Sequence, residues 1–182
     1  MAQHRKSNKP RFNEWYTPDY VFQVITELLE SEFPIELDMY SSEQANRRVK
    51  ANFFFSEENL FDVDTVVEKW GGSKINGWCN PPYLGHKWPN QAVENIIECQ
   101  KHNVFGNLFL IMNANMETAY SQLAMRHAQY LFFFNKRLSF IDARTGEPKK
   151  NNNKGQALYY FGDKELSQQF THDDGVLIKL VS

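Results

Sequence analysis

Cysteine is scarce: Cys79 and Cys99 are the only two in 182 residues. Two thiols cannot make the disulfide framework of a small secreted domain, so a reduced, cytoplasmic protein is expected. Long apolar runs are missing too. The longest, Val104 to Met112, is interrupted by Gly106 and Asn107. Nothing approaches the roughly 20 apolar residues that a membrane-spanning helix needs, so no membrane partner is expected. The basic start, MAQHRKSNKPRF, has no apolar stretch behind it and does not read as a secretory signal. The five histidines have no paired ligand spacing, and no metal site is expected. Glycine does not occur before Gly71, so no glycine-rich loop can form ahead of it.

Aromatic residues are abundant: 15 Phe, 8 Tyr and 4 Trp. Either the core is unusually aromatic or some rings stack on flat ligands. With 42% hydrophobic and 23% charged residues, the chain has the composition of about one globular domain. The net charge of −2 says little, but its distribution says more. Residues 1 to 13 carry Arg5, Lys6, Lys9 and Arg11 and no acid. Residues 14 to 68 carry 13 acids against Arg47, Arg48 and Lys50. Residues 136 to 154 carry Lys136, Arg137, Arg144, Lys149, Lys150 and Lys154 against Asp142 and Glu147. Two basic segments around an acidic body suggest a surface that meets a polyanion. The expected layout is a flexible basic arm over 1–13 and a single domain over 14–182.

Thr17-Pro18 reads as a helix start, with Val21, Phe22, Ile25, Leu28 and Leu29 at helical spacing behind it. A short strand is expected over Ile35 to Met39, and a helix from Ser41 or Ser42 to about Lys50. Phe53 to Phe55 reads as strand and Asp64 to Trp70 as helix. Ile75 to Cys79 and Leu108 to Met112 read as strands, with helices over 89–102 and 116–127 and a strand over Tyr130 to Phe134. Leu138 to Ile141 and Ala157 to Phe161 read as two strands around a long polar loop, and Val176 to Leu180 as the last strand. Strand and helix alternate, so the fold class is α/β, a mainly parallel sheet with antiparallel strands at the C-terminal end.

Asn80-Pro81-Pro82-Tyr83 directly follows a strand. In an open α/β sheet that is the edge where ligands bind. The same residues also suit a plain turn. Chemically they offer more. The Asn80 side-chain carbonyl and the Pro81 main-chain carbonyl are acceptors that can hold both hydrogens of one exocyclic amine. Such an amine moves toward tetrahedral geometry, and its lone pair is freed to attack an electrophilic methyl group. The two prolines fix the arrangement at low entropic cost, and Tyr83 can stack on a base. A base must leave its duplex to enter such a pocket. Asn80 is uncharged, so it orients the amine without acting as a strong base. This is alignment chemistry.

Asn-Pro-Pro-Tyr is the catalytic motif of amino-group DNA methyltransferases, and the wider chain resembles the small, phage-type Dam-like DNA N-6-adenine methyltransferase family. The features that carry the resemblance are Trp15-Tyr16-Thr17-Pro18, Leu37-Asp38 with Ala45-Asn46, and Phe53 to Phe55 with Ser56-Glu57-Glu58-Asn59-Leu60. Trp78 to Tyr83 with Trp88, and Arg137-Leu138-Ser139-Phe140, complete the set over roughly residues 15 to 161. The resemblance implies a Rossmann-like methyltransferase fold, S-adenosylmethionine as cofactor and DNA, double-stranded, as partner. It places Trp15, Thr17 and Pro18 beside the donor's methionine end. Asp38 then holds the donor's amino group or ribose, and Glu58 or Asn59 approaches its adenine or sugar. Phe54, with its two neighbours, supplies an apolar wall for that adenine, or simply packs the strand. Asn80 faces both donor and base. A phage-encoded enzyme would work in the host cytoplasm and protect its own genome from restriction.

The chain departs from this pattern in one respect. The usual donor-binding loop is glycine-rich, whereas Asp38 is followed by Met39-Tyr40-Ser41-Ser42. The loop must take another path, or donor binding is weak. Leu37 to Leu60 could equally match the second and third donor-binding elements, with Asp38 on the ribose hydroxyls. On the DNA side the candidates are Arg11, Lys87, Trp88, Arg137, Phe140, Lys149, Lys150 and Lys154, with Asn151 to Asn153 able to read bases or phosphates. Trp88 and Phe140 also suit a core. Adenine N-6 is the favoured acceptor. Cytosine N-4, an RNA base, or a nucleic-acid-binding protein that has lost its donor are the alternatives. With no room for a separate recognition domain, short or relaxed specificity is expected.

Overall fold

The computed structural model describes residues 15–82, 87–149, 152–167 and 174–180. The proposed arm, including Arg11, lies outside the described residues, as do Tyr83, Lys150 and Asn151. Among the described residues fourteen elements follow one another, beginning with strand β1 (Trp15–Tyr16) and helix α1 (Asp19–Leu29). Pro18 caps α1, and Val21, Val24, Ile25, Leu28 and Leu29 form its buried stripe. Then come β2 (Leu37–Asp38), α2 (Glu43–Val49), β3 (Phe53–Phe54), α3 (Val63–Trp70), β4 (Ile75–Cys79) and α4 (Lys87–Lys101). The rest are β5 (Phe105–Asn113), α5 (Ala119–His127), β6 (Tyr130–Phe134), β7 (Ile141–Asp142), β8 (Gln156–Gly162) and β9 (Gly175–Lys179). The short helices start on side-chain caps: the Ala45 N–H donates to Ser42 Oγ at 3.1 Å, and the Thr65 N–H to Asp62 Oδ2 at 2.9 Å.

Seven strands form one sheet in the order β3-β2-β4-β5-β8-β6-β9. β3, β2, β4 and β5 run parallel to one another, whereas β8 runs antiparallel to both β5 and β6, and β9 antiparallel to β6. This is the expected α/β class with antiparallel strands toward the C-terminus. Helices cover both faces. On one, Val66 of α3, Val93 and Ile96 of α4 and Ala124 of α5 pack on Leu108, Leu110 and Tyr159. On the other, the α1 stripe packs on Trp78, Phe109, Ile111 and Tyr160. Burying these apolar side chains is what holds helices to sheet, at roughly 25 cal/mol per Å² removed from water. Among the described residues, no helix is long and apolar enough to cross a membrane.

One expectation fails. Leu138 to Ile141 does not pair with Ala157 to Phe161. β8 is buried along its whole length and has both edges filled, by β5 and by β6, so no edge is left for a third partner. The chain at 141–142 instead leaves the sheet as β7 and pairs antiparallel with β1, Trp15 opposite Asp142 and Tyr16 opposite Ile141.

Candidate active site

β2 leads through α2 to β3 on one side. The chain then crosses back through α3 to β4 on the other side of β2, and α4 carries it onward to β5. Strand order therefore reverses between β2 and β4, and a crevice opens beyond their carboxyl ends. A cavity of about 360 Å³ lies there. Successive side chains along a strand point to opposite faces. Leu37, Cys79, Met112 and Ala157 therefore enter the core under α3 to α5, while their chain neighbours Asp38, Trp78, Asn80, Asn113 and Gln156 turn the other way and line the cavity. Four adjacent strands thus each present one polar side chain to the same space.

Asn80 is held from the N-terminal side. Its Nδ2 donates to Thr17 Oγ1 at 3.2 Å and to the Trp15 carbonyl at 3.5 Å. A carbonyl can only accept, so the nitrogen must face Trp15 and the amide cannot be turned over. Its Oδ1 remains as an acceptor, and no described residue donates to it. Thr17 is itself buried, and β1 is fixed by its pairing with β7.

Asp38 is 1% exposed. Its Oδ1 accepts the Tyr40 N–H at 3.2 Å. Burial pushes its carboxyl up to about 7 from 3.8, against smaller lowering contributions from Tyr40 and Ser41. The Ser41 hydroxyl is close enough to attract the carboxylate but lies outside hydrogen-bonding geometry, so Ser41 Oγ is buried without a partner. A carboxylate and a hydroxyl with spare capacity thus sit together at the β2 end.

The other end is built from amides and cations. Gln156 lies opposite Asn113, and its Nε2 donates to Asn113 Oδ1 at 2.8 Å. Phe140, Lys149, Asn152, Asn153 and Lys154 also line this end. The segment after β7 is pinned to the body. The Lys149 N–H donates to the Phe140 carbonyl at 2.7 Å, Asn152 Nδ2 to the Leu138 carbonyl at 3.0 Å, and Gln44 Nε2 of α2 to the Ala143 carbonyl at 3.2 Å. The Lys149 ammonium stands 3.9 Å from the centroid of the Trp15 ring, a cation–π contact.

A buried acid at one end, an oriented amide in the middle and cations at the other suit a reaction that joins a small donor to a polyanion. The sequence model of the DNA N-6-adenine-methyltransferase (Dam) family matches residues 4–174. The chain belongs to that family. It is an enzyme that methylates the N-6 amine of adenine in DNA, and as a methyltransferase it uses a methyl donor. A relative described as a DNA N-6-adenine-methyltransferase, from Haemophilus phage HP1 (strain HP1c1), is 29% identical over 164 residues, covering 87% of this chain and 85% of the relative. Cytosine N-4, RNA and donor-less alternatives are not favoured.

The methyltransferase brings Trp15, Thr17, Asp38, Asn80, Pro81, Pro82, Trp88, Phe140, Lys149 and Lys154 to one cavity. Other residues expected there are not on its wall. Pro18 caps α1 instead. Phe54 is still paired within β3 opposite Asp38, whereas buried Phe55, just past the strand end, lines the cavity. Glu58 and Asn59 face solvent because a tight turn swings them out. The Ser56 N–H donates to the Asn59 carbonyl at 2.9 Å and the Glu58 N–H to Ser56 Oγ at 3.3 Å, which leaves Glu57 on the wall. Lys87 and Arg137 are exposed outside the cavity. Sequence reasoning missed Ser41, Arg48, Asn113 and Gln156, all cavity-lining. Arg48 bridges α2 to α1, its Nη2 at 3.0 Å from Asp19 Oδ1.

Proposed function

We propose that the methyl donor is S-adenosylmethionine, held at the β2 end, and that the acceptor is an adenine extruded from double-stranded DNA into the other end of the cavity. The fit rests on Asp38 and Ser41. The buried carboxylate, with one main-chain donor, and the unpartnered Ser41 hydroxyl have the capacity to bind a cationic amino group and its neighbouring polar atoms. When bound, this donor supplies an electrophilic methyl group. Phe55 and Phe61 offer apolar surface for its adenine, and Trp15 and Thr17 flank its methionine end.

Asn80 carries the chemistry in this reading. Its Nδ2 is committed to Thr17 and Trp15, so its Oδ1 is the atom that takes an amine hydrogen of the target base. The Pro81 carbonyl takes the other. Tyr83 stacks on the base, and Lys149 and Lys154, together with Arg11, Lys87, Arg137 and Lys150, meet the phosphates. The enzyme works in the cytoplasm, with residues 1–13 as a basic arm and one catalytic domain after it. The single supporting observation is the fixed orientation of the Asn80 amide. Incubation of purified protein and duplex DNA with methyl-labelled S-adenosylmethionine, followed by nucleoside analysis, tests it: label is expected in N-6-methyldeoxyadenosine. Label in another nucleoside, or none with folded protein, overturns the reading.

A further inference from the structure

The Asn80 turn fixes only half of what its chemistry needs. Pro81 and Pro82 hold the main chain, and with it the Pro81 carbonyl. They do not hold the Asn80 amide, because the last torsion of an asparagine side chain is broad and nearly two-fold. Turned over, that amide offers N–H groups to the target amine instead of an acceptor. What decides between the two orientations lies outside the turn. Nδ2 donates to Thr17 Oγ1 at 3.2 Å and, over a longer 3.5 Å, to the Trp15 carbonyl. Thr17 suits that task. It is 4% exposed, and as a β-branched residue it has a stiff first torsion, so its hydroxyl keeps one direction. Its main chain is set from both sides. Tyr16 is paired with Ile141, and Pro18, extended at φ −69° and ψ 146°, leads into α1 with its buried stripe.

We propose that Thr17 is a positioning residue of the methyl transfer, acting through Asn80 rather than by holding the donor or the DNA. This rests on the reading that Asn80 aligns the target amine. With Nδ2 taken by Thr17, Oδ1 stands toward the base before the base arrives, and none of the binding energy goes into turning the amide. Thr17 therefore speeds the chemical step and leaves the affinity for either ligand alone.

The test compares the full chain with Thr17→Val, which keeps the branched shape without the hydroxyl, and Thr17→Ser, which keeps the hydroxyl. Label transfer from S-adenosylmethionine to duplex DNA at saturation gives kcat, and equilibrium binding gives both affinities. Thr17→Val should lower kcat about tenfold, the worth of one buried hydrogen bond, with both dissociation constants unchanged. Thr17→Ser should recover most of that loss. Equal kcat in Thr17→Val and wild type overturns the inference. So does a loss of donor or DNA affinity as large as the loss of kcat, which marks a ligand contact or a structural defect. Should Thr17→Val not fold, Thr17→Ala reads the same constants: a fall confined to kcat supports the inference, and an unchanged kcat overturns it. An active wild type with an equally active Thr17→Val rejects the role of Thr17 alone, whereas a wild type that methylates nothing rejects the proposed function and that role with it.

Discussion

The two ends of the cavity are made of different chemistry on one continuous sheet face. The β2 end has a buried carboxylate, an unpartnered hydroxyl and apolar rings. The β5–β8 end has a pair of amides, two lysines and asparagines. Asn80 stands between them and is held by a third region, the N-terminal strand. The two ends thus suit ligands of opposite sign, and in the proposed reading the residue that meets both, Asn80, is held by neither end.

The comparison is sharpened by substitutions that strike the middle, one end or the other. The largest effect is expected at the middle. Asn80→Ala should lower methyl incorporation by about 1,000-fold or more while leaving DNA affinity unchanged, because the amine is no longer aligned whereas the phosphates are still held. Filter binding beside a labelled-donor assay reads both, and substantial turnover in that variant would remove Asn80 from its role.

The donor end should answer to pH. With its carboxyl raised to about 7, Asp38 is protonated in mildly acidic solution, so affinity for a cationic donor should climb as pH rises to about 7 and level off above it. Stability runs the other way. The folded state keeps a proton that the unfolded chain, at 3.8, gives up, so this group's contribution falls between about pH 4 and pH 7. Asp38→Asn should cost roughly tenfold to a hundredfold in donor affinity and flatten the titration, as read by calorimetry. A variant that binds donor with the parent's pH profile would move the donor elsewhere. The smallest change belongs to the acceptor end. Replacing Lys149 and Lys154 with alanine should reduce the slope of log affinity against log salt by about 0.9 for each phosphate left without its lysine. An unaltered slope would put the phosphate path on another face.

Legibility from sequence follows distance along the chain. The Asn80 turn is readable because its residues are consecutive, and α1 and α2 because their caps and stripes are local. Phe54 and Phe55 are not told apart, because nothing in three consecutive phenylalanines says where pairing stops. Glu57 and Glu58 are confused for the same reason: the turn that separates them depends on a main-chain bond between Ser56 and Asn59. Gln156 and Asn113 give no local signal at all. They are 43 residues apart, and only the β5–β8 register makes them a pair. That the strand at 141–142 joins β1 rather than β8 has the same origin, since insertion of β8 between β5 and β6 is a property of the whole sheet.

The β1–β7 pairing also bears on synthesis. The groups that aim Asn80 come from residues 15 and 17, yet the β1 strand that carries or adjoins them is secured by residues 141 and 142, more than 120 positions later. The centre of the sheet closes just as late, because β8 is threaded between strands made before it. Such non-local closure is entropically slow. A ribosome-bound chain therefore carries its Asn80 turn for a further ~60 residues before the strand that secures the latch is made. Orientation of the Asn80 amide would arrive with β7 rather than with the turn itself.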